Sequence, residues 1–133
     1  MSRILGIDYG DVRIGLAISD ESQIIAKPYK TLENKGKKFV LKEIVKICKD
    51  DSVEEIVIGK PIMLSGEEGI QVEKVNGFID FLKDNINVKI ELEDERLTTV
   101  EAEKLLNEKD IPSKIDKDQI SAYYILQNYL SKK

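Results

Sequence analysis

Hydrophobic and polar positions follow two rhythms along the chain, and the switches between them mark out its elements. Ile4-Leu5-Gly6-Ile7-Asp8 is a short apolar run ending in a carboxylate, followed by the turn signal Gly10-Asp11. Such a run suits a strand buried on both faces. Alternation puts Ile4, Gly6 and Asp8 on one face and Leu5, Ile7 and Tyr9 on the other. Arg13 to Ser19 alternates as well, with Ile14, Leu16 and Ile18 opposite Arg13, Gly15, Ala17 and Ser19. The connection is so short that this second strand must run antiparallel to the first. Asp20-Glu21-Ser22 reads as a turn, and Ile24 to Thr31 as a third strand that Pro28 places at an edge.

A period of 3.6 then takes over. Asn34 is a candidate cap for a helix from about Gly36 to Lys49, with Leu41, Ile44, Val45 and Cys48 as its inner stripe. Val53 to Ile58 is a buried strand ended by Gly59-Lys60-Pro61. A helix over Ile70–Asp84 presents Val75, Phe78, Ile79 and Leu82, and Val88 to Leu92 is a fifth strand. Thr98-x-x-Glu101 is a capping box for a helix to about Glu108, and Asp116-x-x-Gln119 caps a last one through Leu130. The order β-β-β-α-β-α-β-α-α predicts a single α/β domain over residues 1–133. Its five-stranded mixed sheet has the first three strands antiparallel and the last two parallel, flanked by helices.

Composition narrows the chemistry. One cysteine, Cys48, excludes an internal disulfide and a Cys-rich zinc site and fits a reducing compartment. The start of the chain has no signal-peptide pattern and no apolar run nears ~18 residues, so a cytoplasmic location away from membranes is expected. The net charge of −4 argues against coating nucleic acid by bulk electrostatics, though not against a local basic patch combined with a metal. Histidine is absent, so there is no Ser-His or Cys-His nucleophile and no imidazole base or zinc ligand. Hydrolysis would have to rely on carboxylates, lysines or an ion.

Carboxylates are placed for that work. Asp8 ends the first strand, where open α/β sheets keep their ligand sites. Asp94 and Glu95 end the fifth. Asp118 shares a helical face with Ala122, Ile125 and Leu126, so it is expected to point inward over the sheet. The alternatives are a turn hydrogen bond for Asp8 and a helix-dipole role for Asp118. Converging acids repel one another, and a divalent cation reverses that penalty. Carboxylate oxygens favour Mg²⁺ or Mn²⁺, and two such ions can activate a water and stabilise the leaving oxygen of a phosphodiester.

Four segments carry a family resemblance. They are Gly6-Ile7-Asp8-Tyr9-Gly10 with Arg13 and Gly15, Gly59-Lys60-Pro61 with Gly66, Asp94-Glu95-Arg96-Leu97-Thr98-Thr99, and Asp118 through Ile125-Leu126-Gln127. In that order, and over nearly the whole chain, they resemble the YqgF (RuvX) family, whose domain is ribonuclease H-like and related to the RuvC Holliday junction resolvases. The resemblance implies a metal-dependent nuclease acting on structured nucleic acid, chiefly in maturing the 5′ end of the pre-16S rRNA. It implies Asp8, Glu95 and Asp118 as catalytic residues, and those three with Asp94 as ligands of two Mg²⁺ or Mn²⁺ ions. Arg13, Lys60 and Arg96 are candidate phosphate contacts, or else surface charges paired to nearby acids. Expected partners are an rRNA precursor or branched DNA, possible ribosome-assembly factors, and at most a weak dimer.

The chain departs from the family pattern at Lys60, where Leu is usual, at Ser65, where Asp is usual, and at Ser121 in an Ala-Ala pair. The second acid of many ribonuclease H-like nucleases ends the strand beside the first. Here the Val53–Ile58 strand ends in Gly59-Lys60, leaving Glu95, or Glu67 or Glu68, to supply it. The competing functions are a Holliday junction resolvase, a non-catalytic RNA or ribosome-assembly binding module, and a phosphotransferase of the actin and hexokinase type. The last needs two such domains, and 133 residues supply one.

Overall fold

In the computed structural model the described residues are 2–60, 69–94 and 116–132. Five strands, β1 (Arg3–Asp8), β2 (Arg13–Ser19), β3 (Ala26–Glu33), β4 (Val53–Lys60) and β5 (Lys89–Asp94), form one sheet in the order β3-β2-β1-β4-β5. β1, β2 and β3 are successively antiparallel, whereas β4 and β5 run parallel to β1, as the element order predicts. The helices among the described residues are α1 (Lys37–Asp50), α2 (Gly69–Asn85) and α3 (Lys117–Ser131). Among the described residues no helix is long and apolar enough to cross a membrane. The helix expected from Thr98 to Glu108 lies outside the described residues.

Two cores flank the sheet, one on each face. Leu5, Ile7, Leu16, Ile56 and Ile58 meet Ile44 of α1 and Phe78 and Leu82 of α2. Ile4, Ala17 and Val57 meet Ala122, Ile125 and Leu126 of α3. β1 is therefore buried on both sides, which is why its sequence is a continuous apolar run. Each fully buried Ile or Leu contributes ~1.5–3 kcal/mol. α3 lies unusually close: a Cβ on Gly6 would stand 2.8 Å from Leu126 Cβ and 3.1 Å from the Ala122 carbonyl oxygen.

Several elements depart from the sequence reading. β3 starts at Ala26, and Ile24 and Ile25 stay exposed (65% and 64%) in the preceding turn. The Asp20 carboxylate sets that turn by accepting the N–H groups of Ile24 and Ile25 at 2.8 and 3.0 Å, and these bonds lower its pKa. β4 continues through Gly59 to Lys60 because β5 extends alongside it, pairing Lys60 with Asp94. In α1 the buried stripe is Val40, Ile44 and Ile47, and Val45 is exposed. Two overlapping stripes exist in that sequence, and only packing on the sheet chooses between them. Asn34 is not the N-cap of α1, which is Gly36, although the Asn34 side-chain oxygen accepts the Gly36 N–H at 3.2 Å. The Asn34 amide nitrogen also donates to the Gly10 carbonyl at 2.8 Å and to the Tyr9 hydroxyl at 3.3 Å, tying down the β1–β2 turn. In α2, by contrast, Val75, Phe78, Ile79 and Leu82 are all buried as expected.

Candidate functional site

Asp8 closes β1, half-buried, and pairs across the sheet with Gly15 of β2. Both lie on the face that α3 covers, in the row of Gly6 and Ala17. A Cβ on Gly15 would fall 1.9 Å from the Asp118 carbonyl oxygen, so the first turn of α3 rests on β2 where a side chain is missing. The start of α3 is anchored twice more. Asp116 accepts the Gln119 N–H at 2.9 Å as its cap, and the Thr31 hydroxyl of β3 donates to the same carboxylate at 2.7 and 2.8 Å. The last helix, capped as expected, thus brings Asp118 to the end of the sheet that holds Asp8.

The Asp118 carboxylate is 26% exposed and accepts a hydrogen bond from Arg13 Nε at 2.9 Å. Arg13 is thus an ion-pair partner of an acid, one of the two roles open to it from the sequence. Exposed pairs of this kind contribute only ~0–1 kcal/mol, so this one orients Asp118 more than it stabilises the fold.

Other candidates sit elsewhere. Lys60 follows Ile56 and Ile58 in alternation and so falls on the α1–α2 side of the sheet, away from the Asp8 row. Asp94 is its register partner at the end of β5. Glu95 and Arg96, with Ser65, Glu67 and Glu68, lie outside the described residues. Among the described residues no three acidic, histidine or cysteine side chains are gathered to hold a metal, and of the expected set the Asp118 backbone lies over Gly15, the register partner of Asp8.

The sequence reading passed over two acids under the far end of α3. Glu55 and Glu93 are buried (5% and 6%), the first bonded to the Tyr129 hydroxyl and the second to the Lys132 ammonium. Burial and the Glu55 carboxylate raise the Tyr129 pKa. The alternation of Glu91 and Glu93 along β5 looks solvent-facing in sequence, and only the crossing of α3 buries Glu93.

A family model described as RuvX, Holliday junction resolvase, matches residues 2–132. The chain belongs to the RuvX family. A relative from Clostridium acetobutylicum is 43% identical over 132 residues, covering 97% of this chain and 98% of its own length. One from Clostridium botulinum is 45% identical over 131 residues, covering 96% of each. Both carry the name "Putative pre-16S rRNA nuclease". Among solved structures, RuvC of T. thermophilus in complex with Holliday junction substrate superposes with a TM-score of 0.65 at 14% identity, covering 98% of this chain and 94% of that one. The fowlpox virus Holliday junction resolvase gives 0.60 at 15% identity, covering 98% and 99%. At such identities the likeness is one of fold, and the RuvX chain has the ribonuclease H-like architecture expected of it.

Proposed function

We propose that this RuvX-family chain hydrolyses phosphodiester bonds in structured nucleic acid, with Asp8, Glu95 and Asp118 as its acidic centre. The observation that carries this reading is the contact at Gly15. It seats the Asp118 backbone over Gly15, the register partner of Asp8, which supports two acids far apart in sequence acting at one end of one face. A hard divalent ion, Mg²⁺ or Mn²⁺, fits carboxylate oxygens in a chain without histidine. Asp94, in register with Lys60 on the other face of the sheet, drops out of the expected set. Asp8 and Asp118, with Glu95, would hold one or two such ions. When bound, they supply activation of water and neutralisation of charge on the leaving oxygen.

The chain's own residues position the substrate. Arg13 fixes the Asp118 carboxylate and, being 62% exposed, presents a cation at the rim for a backbone phosphate. Arg96 would act further along the backbone, and Lys60, on the other face of the sheet, is not part of this path. The favoured substrate is an rRNA precursor at the 5′ end of pre-16S rRNA, in the cytoplasm and alongside assembly factors. The names of relatives above 40% identity support it. The description of the matching family favours a second substrate, four-way junction DNA.

Matched RNA and DNA substrates, the junction included, test the reading with Mg²⁺ or Mn²⁺. Asp8→Asn should cut cleavage at least ~100-fold, since groups one step removed from a metal already cost ~10–100-fold. Its circular dichroism and melting should stay native. Undiminished cleavage by the pure variant defeats the assignment, and chelator should abolish wild-type activity.

A further inference from the structure

Beside the candidate site the surface holds a cleft of ≈460 Å³, lined by Asp11, Val12, Arg13, Glu33, Asn34 and Lys35. We propose that this cleft, between the β1–β2 turn and the β3–α1 connection, is a subsite for one unpaired nucleotide next to the bond to be cut. The proposal rests on the nuclease reading and adds the path of the strand and the state of its bases.

Size, chemistry and rigidity support it. The volume falls at the small end of the ~300–1,000 Å³ typical of small-ligand sites, enough for a nucleotide and too little for a duplex. Arg13 lines the cleft while also bonding Asp118, so the cleft is continuous with the acidic centre. Its two cations are themselves exposed and each is paired to an acid, Arg13 to Asp118 at 2.9 Å and Lys35 to Glu33 at 3.7 Å. Such pairs are weak enough for a phosphate to compete for the cation. Val12, 73% exposed, gives the lip an apolar surface for a sugar or a base face. Asp11 and Glu33 offer acceptors for base amino groups or a ribose hydroxyl.

The lip is also fixed before any ligand arrives. The Asn34 backbone N–H donates to the Val12 carbonyl at 2.8 Å, its side chain donates to the Gly10 carbonyl, and Lys74 of α2 bonds Asp11 at 3.0 Å. Preorganisation of this sort lowers the entropy cost of binding. With a net charge of −4, the chain has little long-range attraction for a duplex backbone, and local stacking and pairing contacts must do more.

The test is fluorescence anisotropy of short single-stranded RNA and DNA oligonucleotides on the full chain, in chelator so that nothing is cut. Val12→Asp and Lys35→Glu should each weaken binding at least ~5-fold, and Lys35→Glu should flatten the salt dependence by about one phosphate contact. Both positions are exposed, so melting should be unchanged. Lys27→Glu, at the opposite end of the sheet, should bind as wild type. Wild-type affinity in both cleft variants overturns the subsite, even if Asp8→Asn abolishes cleavage and the nuclease reading stands. Weakened binding in a protein that cleaves nothing with any metal keeps the subsite and overturns the nuclease. A tighter grip on RNA than on DNA assigns the acceptors to the 2′-hydroxyl, and equal affinity assigns them to the bases.

Discussion

At the scale of single residues, the most consequential position is one with no side chain. Gly15 decides how closely α3 meets β2, because the Asp118 carbonyl occupies the place of its Cβ. Gly15→Ala should therefore destabilise the protein by about 1–3 kcal/mol, the usual cost of overpacking, and lower cleavage as well because Asp118 must shift. Urea denaturation and activity measured on the same preparation check this, and an unaltered midpoint would contradict the contact. Alternation on a strand and spacing on a helix were enough to put Asp8 and Asp118 toward the same face of the sheet. Gly15 was legible only as small, since its meaning depends on where a helix a hundred residues later comes to rest. Glu93 was not legible, because the helix that buries it crosses from another part of the chain.

At the scale of elements, strand order and the α2 stripe follow from sequence because each has one good solution. α1 had two. Its apolar positions support a stripe through Val40, Ile44 and Ile47 or one through Leu41, Ile44, Val45 and Cys48. The sheet fully buries the first, leaving Leu41 and Cys48 half-buried at its edge and Val45 exposed. Asn34 misled in part: it stands two residues before the N-cap Gly36, whose N–H its side-chain oxygen accepts, while its amide nitrogen is spent on the β1–β2 turn. Asn34→Ala should cost about 1–2 kcal/mol, mainly by leaving the Gly10 carbonyl short of a partner. Hydrogen exchange locates the loss: faster exchange is expected around the β1–β2 turn, and a loss confined to the first amides of α1 would restore the capping role.

At the scale of the whole molecule, the ionisable groups displaced furthest act on the alkaline side. Burial pushes the Cys48 thiol up from 9.0 to about 11. Its hydrogen bond to Asp51 pushes the Tyr29 phenol up from 10.0 to about 12, and burial beside Glu55 raises Tyr129. Each group is neutral in both states at low pH, so its contribution is fully present below the unfolded value. The unfolded chain releases these protons first, and stability is lost as pH rises from about 9 through 12. Melting temperature followed across that window should fall steadily, and a flat profile would contradict the burial described for Cys48.

The clasp between Thr31, Gly15 and α3 joins the first described strands to the last described helix, with Arg13 and Asp118 separated by 105 positions. During translation, then, β1, β2 and β3 emerge long before the helix that roofs them, and Ile4, Ala17 and Val57 wait uncovered. Asp118 can reach the sheet only after residues 117–131 have been synthesised, so the proposed acidic centre is the last part of the described fold to be completed.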